Sequence, residues 1–131
     1  MVSLASLLEF SNEILQPNQF QDYCPNGLQV EGRSEVRKIV SGVTACQALL
    51  DQAINAGADM VLVHHGYFWR GDNPCVTGIQ RTRIKCLLEA NVSLVAYHLP
   101  LDAHPELGNN AVLARVLDLV SEGLLSGDGI G

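Results

Sequence analysis

The segment Met60-Val61-Leu62-Val63-His64-His65-Gly66 joins a short apolar run to two adjacent histidines and a glycine. A run of four apolar residues predicts a β-strand that is buried on both faces, as in a parallel sheet. The glycine allows the backbone to turn, and a loop is predicted from His64 to Pro74. The segment therefore predicts a buried strand that carries two imidazoles to one end of a sheet.

Strand and helix patterns alternate on both sides of this segment. Strands are predicted over 38–43 and 92–97, and amphipathic helices over 45–56, 77–90 and 109–117. Four apolar residues of the helix over 77–90 are predicted to face the core: Ile79, Ile84, Leu87 and Leu88. Helices between strands predict an α/β fold with a mainly parallel sheet and helices on its faces, an αβα sandwich.

The N-terminal region is predicted to form one helix followed by a long loop. Ser3 is a suitable N-cap for a helix with apolar residues on one face, and Pro17 follows its end. Residues 17–33 contain Pro25-Asn26-Gly27 and Gly32, which indicate mostly loop and turn. Only three strands are then predicted, so the sheet has an open edge.

Domain organisation follows from the length and the tail. The 131 residues are predicted to form one α/β domain over 1–120 and a Gly-rich tail over 121–131. The open edge and the tail together predict the N-terminal part of a longer fold, or a fold that another chain completes.

Composition excludes several classes of protein. Apolar residues make up 47% of the chain, and their longest runs are too short to cross a bilayer. The net charge of −6 argues against a nucleic-acid surface, which needs a basic stripe. The four cysteines are widely spaced and no signal peptide is recognised, so reduced thiols in the cytoplasm are predicted.

All four histidines lie in two loops that follow neighbouring predicted strands. Such loops meet at the carboxyl edge of a parallel sheet, where ligands commonly bind. We predict that His64, His65 and Asp102 bind a divalent ion such as Zn²⁺, Mn²⁺, Fe²⁺, Co²⁺ or Ni²⁺, since imidazole and carboxylate suit these ions. His98 is a candidate ligand, outer partner or proton carrier, whereas His104 is predicted to be exposed.

Structural roles remain open for these residues and for their neighbours. His64 and His65 can instead be loop histidines bonded to the backbone, and Asp102 a turn residue. The run Tyr67-Phe68-Trp69-Arg70 can stack a planar base, or serve packing or subunit contact. Arg81 and Lys85, with Arg83 nearby, can hold substrate phosphates or form a solvated helix face.

Four ordered motifs carry a resemblance to a known family. They are Asp22-Tyr23-Cys24-Pro25-Asn26-Gly27-Leu28-Gln29-Val30-Glu31-Gly32, Val40-Ser41-Gly42-Val43-Thr44-Ala45, Val63-His64-His65-Gly66-Tyr67-Phe68-Trp69, and the run from Tyr97 to Asn110. Together they closely resemble the signatures of the NIF-three-like dinuclear metal proteins, whose members are commonly named GTP cyclohydrolase 1 type 2 homologues. The resemblance runs from about residue 4 to residue 118.

The resemblance implies a site for two metal ions in which His64, His65 and Asp102 are ligands. It also implies a ring-shaped homo-oligomer, usually a hexamer built from dimers, and hydrolytic opening of the guanine ring of GTP. Family members are longer, and their second half supplies a further histidine and glutamate, to which nothing after Leu119 corresponds.

Three functional hypotheses follow. The first is a metal-dependent hydrolase of a nucleotide or related heterocycle, with His98 in an outer-sphere or proton-transfer role. The second is a non-catalytic ring-forming scaffold or metal-responsive interaction protein. The third is an inactive remnant.

Overall fold

The structure, a computed structural model, describes residues 1–124. Its elements in chain order are β1 (Val2–Ser3), α1 (Leu4–Leu15), β2 (Gly27–Val30), β3 (Glu35–Val36), β4 (Ile39–Thr44), α2 (Gln47–Asn55), β5 (Met60–His65), α3 (Gly78–Ala90), β6 (Ser93–Ala96), α4 (Leu99–Asp102) and α5 (Asn109–Val116). Most of the predicted Gly-rich tail, residues 125–131, lies outside the described residues. No helix within residues 1–124 has the length and apolarity needed to span a bilayer.

The central sheet has the strand order β2-β6-β5-β4. The pairs β4–β5 and β5–β6 are parallel, whereas β2 runs antiparallel to β6. A second, two-stranded ribbon pairs β1 with β3. The predicted α/β fold with a mainly parallel sheet is confirmed, because helices pack on both faces of this sheet.

The prediction of only three strands and a mostly looped segment over 17–33 was wrong. Strand β2 lies inside that segment and pairs with the edge of β6 that was expected to be open. It is only four residues long, begins at Gly27 with φ 98°, and changes register between Leu28 and Val30. The turn residues before it and its short length explain why the sequence pattern did not predict this strand.

Helix α1 covers one face of the sheet. The Ser3 hydroxyl caps it by accepting a hydrogen bond from the Ser6 backbone N–H at 3.0 Å, and Gln16 ends it in a left-handed conformation. Its apolar side packs against alternate residues of β5 and β6, such as Met60 and Val95. Because parallel strands buried on both faces need cover on each side, α1 protects the face that α2 and α3 leave uncovered.

Helices α2 and α3 cover the opposite face, where Val61, Leu94 and Leu87 are buried. The prediction that Ile79 and Leu88 face this core was wrong, because they are 66% and 56% exposed. The residues of α3 that are at least partly buried include Gln80, Arg83, Ile84, Leu87 and Ala90. Their spacing of three and four residues defines the inward stripe of α3 and leaves Ile79 and Leu88 outside it.

Asp59 is buried and forms hydrogen bonds that link the amino ends of β4, β5 and β6. Asp59 accepts hydrogen bonds from the backbone N–H groups of Arg37 and Lys38 at 2.8 and 3.0 Å, and its second oxygen pairs with the Arg33 guanidinium at 2.7 Å. The Asp59 carbonyl accepts from the Ser93 N–H at 3.0 Å. The bond from Arg37 leads the contacts that lower the pKa of Asp59 against the opposing effect of burial.

We expect Asp59→Ala to reduce the free energy of unfolding by about 1–3 kcal/mol, because the partly buried backbone N–H groups of Arg37 and Lys38 lose their acceptor. Since the folded pKa lies below the ordinary 3.8, this contribution is present above that value and is lost as the pH falls through the folded pKa. Urea denaturation at neutral and acidic pH measures both effects. The exposed Glu9→Ala is the control, and equal stability of the two variants would contradict the prediction.

Candidate metal centre

Three imidazole rings meet at the carboxyl edge of the sheet. His64 and His65 are the last two residues of β5, and His98 follows β6. The ring centroids of His64 lie 4.4 Å from His65 and 4.9 Å from His98. One nitrogen from each ring lies within 4.8 Å of the others. The two predicted histidine clusters therefore converge, and this triad of histidines is a candidate metal-binding group. The prediction of a loop from His64 was wrong, because His64 and His65 lie within β5.

Each ring of the triad is oriented through its Nδ1 atom by a different neighbour. Nδ1 of His64 lies 3.1 Å from the Tyr97 carbonyl oxygen, and Nδ1 of His65 lies 3.1 Å from the Thr44 hydroxyl. Nδ1 of His98 lies 2.8 Å from a carboxylate oxygen of Asp22. The carbonyl and the carboxylate accept only, so they favour a proton on Nδ1 and a lone pair on Nε2 in His64 and His98.

Asp102 lies beside one member of the triad. Its Oδ2 atom is 3.5 Å from Nε2 of His64, and its Oδ1 accepts a hydrogen bond from the Asn109 side chain at 2.6 Å. It is not part of the compact three-nitrogen group. With the proton of neutral His64 on Nδ1, two acceptor atoms face each other, and this arrangement is favourable only with a proton or a cation between them.

Sequence reasoning missed the role of Asp22. Besides bonding His98, its carboxylate accepts from the Asn26 side chain and the Leu99 N–H at 2.8 and 2.9 Å. Burial acts to raise its pKa, but the bonds from His98, Asn26, Leu99 and Tyr23 outweigh burial and lower it. The available signal was its place at the start of the first motif, to which no function was attached.

Asp22, Cys24 and His98 form a second group with metal-ligand atoms close together. Burial raises the pKa of the Cys24 thiol to about 11, and the nearby Asp22 adds to this effect. Cys24 is therefore a protonated thiol at neutral pH, whereas metals bind the thiolate. We interpret this second group as support for His98.

The loop after β5 is fixed against β2 by Gln29. Its side chain accepts from the Tyr67 N–H at 2.7 Å and donates to the Tyr67 carbonyl at 3.2 Å. A side chain at Gly66 would meet the Gln29 oxygen at only 2.1 Å, so glycine permits this approach. Trp69 is held by a bond from its indole N–H to the Gly66 carbonyl, and its ring meets that of His98 edge-on at 4.9 Å.

The remaining predicted residues lie apart from the triad or serve structure. His104 is partly buried, contrary to the predicted exposure, and its Nδ1 accepts from the backbone N–H groups of Glu106 and Leu107. Tyr67 is buried and donates its hydroxyl to the Ala45 carbonyl. Lys85 pairs with Glu89 at 3.4 Å on the exposed side of α3.

Comparison with known proteins assigns the family. The family described as Duf34/NIF3 (NGG1p interacting factor 3) matches residues 2–129. The chain belongs to this family. A relative from Pseudomonas aeruginosa, named GTP cyclohydrolase 1 type 2 homolog, is 61% identical over 124 residues, which are 95% of this chain and 49% of that protein. The chain thus spans about half the length of the curated relatives it matches.

Solved structures of similar proteins share this fold. The structure titled protein ybgI, of unknown function, is 53% identical with a TM-score of 0.93, and the match covers 95% of this chain and 51% of that one. The structure of TTHA1606 from Thermus thermophilus is 39% identical with a TM-score of 0.89, covering 98% and 53% of the two chains. The fold described above is therefore that of Duf34/NIF3 proteins.

The triad predicts an unusual titration for the metal-free protein. Burial, followed by the charges of His64 and His98, lowers the pKa of His65 below its ordinary 6.5, and Asp102 only partly opposes this. We therefore expect His65 to remain neutral at a pH just below 6.5. We also expect His64→Gln to raise the pKa of His65, because it removes one of the neighbouring charges. Because the folded pKa is depressed, the protein loses stability as the pH falls from the ordinary pKa to the folded one.

NMR titration of the imidazole nitrogens in the presence of a chelator measures this pKa. His104→Gln is the matched control, because His104 lies outside the triad. Titration of His65 at or above 6.5 would contradict the expectation.

Proposed function

We propose that the chain binds divalent transition-metal ions through His64, His65 and Asp102, and that His98 directs its Nε2 to the same space. The observation that carries this proposal is the approach of the His64 Nε2 atom to the Asp102 carboxylate at 3.5 Å. A cation between these atoms converts two opposed acceptors into two ligands. The outer contacts of the triad fit such a centre, because metal-binding histidines commonly bond a carbonyl or carboxylate through the second nitrogen.

Two ions per centre are part of the proposal. His64 and His65 are successive residues at the end of a strand, so each imidazole can bind a different ion. The nitrogens and the carboxylate suit Zn²⁺, Mn²⁺, Fe²⁺, Co²⁺ or Ni²⁺. The resemblance to dinuclear metal proteins supports this number.

We further propose that the complete centre hydrolyses a nucleotide or a related heterocycle. A bound divalent ion would polarise the substrate and lower the pKa of a water molecule towards neutrality. His98, held by Asp22, is positioned to accept or donate a proton at Nε2, and the Trp69 ring packs edge-on against His98. The name of these relatives, GTP cyclohydrolase 1 type 2 homolog, supports a cyclohydrolase reaction.

The alternative is a non-catalytic scaffold, in which the metals stabilise a ring-shaped homo-oligomer, usually a hexamer in the family that the chain resembles. The same ligands support this role, because metal binding alone does not require turnover. A cytoplasmic location is proposed for either function. The four cysteines are free, as expected for a reducing compartment.

Metal analysis tests the first part of the proposal. We expect the purified chain to bind Zn²⁺ or Mn²⁺, and His64→Ala and Asp102→Ala each to lower the bound amount, because each substitution removes a ligand. Elemental analysis after dialysis measures the metal content. His104→Ala is the matched histidine control, and absence of metal from the wild type would refute the proposal.

Turnover distinguishes the hydrolase from the scaffold. Nucleotides and free heterocycles are incubated with metal-loaded protein, and product is measured by chromatography. Turnover that disappears in His65→Ala supports the hydrolase, whereas oligomer formation that depends on metal without turnover supports the scaffold. His98→Ala separates two roles: loss of metal indicates a ligand, and loss of turnover alone indicates a proton carrier.

Asp22 gives an independent prediction. We expect Asp22→Asn to weaken metal affinity by about 10–100-fold, because the substitution removes the carboxylate that orients the His98 ring. Competition with a chromogenic chelator measures the affinity. The exposed Asp51→Asn is the control, and thermal unfolding without metal reports any change in folding. An affinity equal to that of wild type would contradict the assigned role.

A further inference from the structure

A cleft of about 410 Å³ opens beside the triad of histidines. Its lining includes His65, Phe68, Trp69, Ile79, Gln80 and Arg83, and Asp72 is the one carboxylate among the lining residues. His65 thus belongs both to the triad and to the cleft. The volume lies within the range of small-molecule sites, which combine apolar walls with a few polar groups.

Arg83 is the only cationic residue among those that line this cleft. It lies on the inward stripe of α3, and its Nε atom is buried without a hydrogen-bond partner among residues 1–124. No carboxylate within the same described range forms an ion pair with it, whereas Arg33 pairs with Asp59 at 2.7 Å. A buried donor on a permanent cation is costly when unpaired. The guanidinium geometry suits an incoming carboxylate or phosphate.

Aromatic residues form the apolar part of the cleft lining. Phe68 is 37% exposed although it is a large apolar side chain, and its φ of 64° is rare for a bulky residue. Trp69 lines the cleft and also approaches the triad, with its ring 6.0 Å from that of His65. Aromatic rings of this kind offer a flat surface to a planar ligand.

We propose that this cleft binds a planar heterocycle that carries an oxyanion, with Arg83 holding the oxyanion and Phe68 and Trp69 contacting the ring. The ring is thereby placed beside His65. This deepens the proposed function, on which it rests, because it names the substrate class of the metal centre. The oxyanion is a phosphate or a carboxylate, since the same guanidinium fork receives both. A nucleic-acid strand is disfavoured by the net charge of −6.

Two matched pairs of probes test the proposal on metal-loaded protein. Guanosine 5′-monophosphate is compared with guanosine, and orotate, a pyrimidine carboxylate, is compared with uracil. Isothermal titration calorimetry measures affinity. Trp69 is the only tryptophan of the chain, so its fluorescence reports whether a probe binds in the cleft. We expect the charged member of at least one pair to bind more tightly and to change this fluorescence, and the responding pair identifies the oxyanion.

Variants of α3 test the role of Arg83. We expect Arg83→Gln to weaken the affinity for the charged probe by about tenfold or more, because a charge-assisted hydrogen bond is lost. The affinity for the neutral member of the pair should stay nearly unchanged. Arg83→Lys retains the charge and should restore part of the affinity. Arg81→Gln is the control, since Arg81 is exposed on the same helix and does not line the cleft. Circular dichroism confirms folding of each variant.

The outcomes separate this inference from the proposed function. If metal binds but neither charged probe binds, or if Arg83→Gln binds the charged probe as wild type does, the cleft proposal is wrong. The same conclusion follows if Arg81→Gln and Arg83→Gln weaken binding equally. If no metal binds while a charged probe still binds in an Arg83-dependent manner, the metal proposal fails and the cleft proposal stands.

Discussion

The candidate centre depends on the fixed orientation of three imidazoles by hydrogen-bond partners from three separate parts of the chain. Thr44 ends β4, Tyr97 follows β6, and Asp22 lies in the segment before β2. These groups meet only because the parallel register pairs Thr44 with His65 and continues through β6. A shift of register by one residue would turn every side chain of a strand to the opposite face and would separate the rings from these partners.

The antiparallel strand β2 helps to position the histidine-bearing turns at this edge of the sheet, although it has only four residues. By pairing with β6 it brings the preceding segment against the start of α4, where the Asn26 side chain accepts from the His98 N–H at 2.7 Å. Gln29, within β2, bonds the loop after β5 through both of its amide atoms. The N-terminal segment therefore positions both histidine-bearing turns, although it contributes no member of the triad.

Sequence patterns predicted the parts of the fold that local periodicity encodes. Strands β5 and β6 and the helices between and around them have clear repeats, and the rule for parallel sheets then brings His64, His65 and His98 to one edge. Strand β2 was missed because its pairing of Gly27 with Ala96 is distant in sequence. The bond between Asp22 and His98 spans 76 positions and was equally hidden. Ligand identity remains a prediction, since adjacency of nitrogen atoms does not by itself establish binding.

The electrostatics of the triad disfavour simultaneous protonation of its three imidazoles. Protonating one imidazole raises the cost of protonating the next, as the lowered pKa of His65 reflects in the effects of burial, His64 and His98. Yet Nε2 of His64 faces the Asp102 oxygen, and that contact needs positive charge. The proposed metal ions, bound by neutral nitrogens and one carboxylate, would supply that charge without placing three charged rings side by side. The Asp22 carboxylate favours a proton on Nδ1 of His98 and leaves the Nε2 lone pair free, as in metal-binding histidines, so this contact supports the proposed coordination.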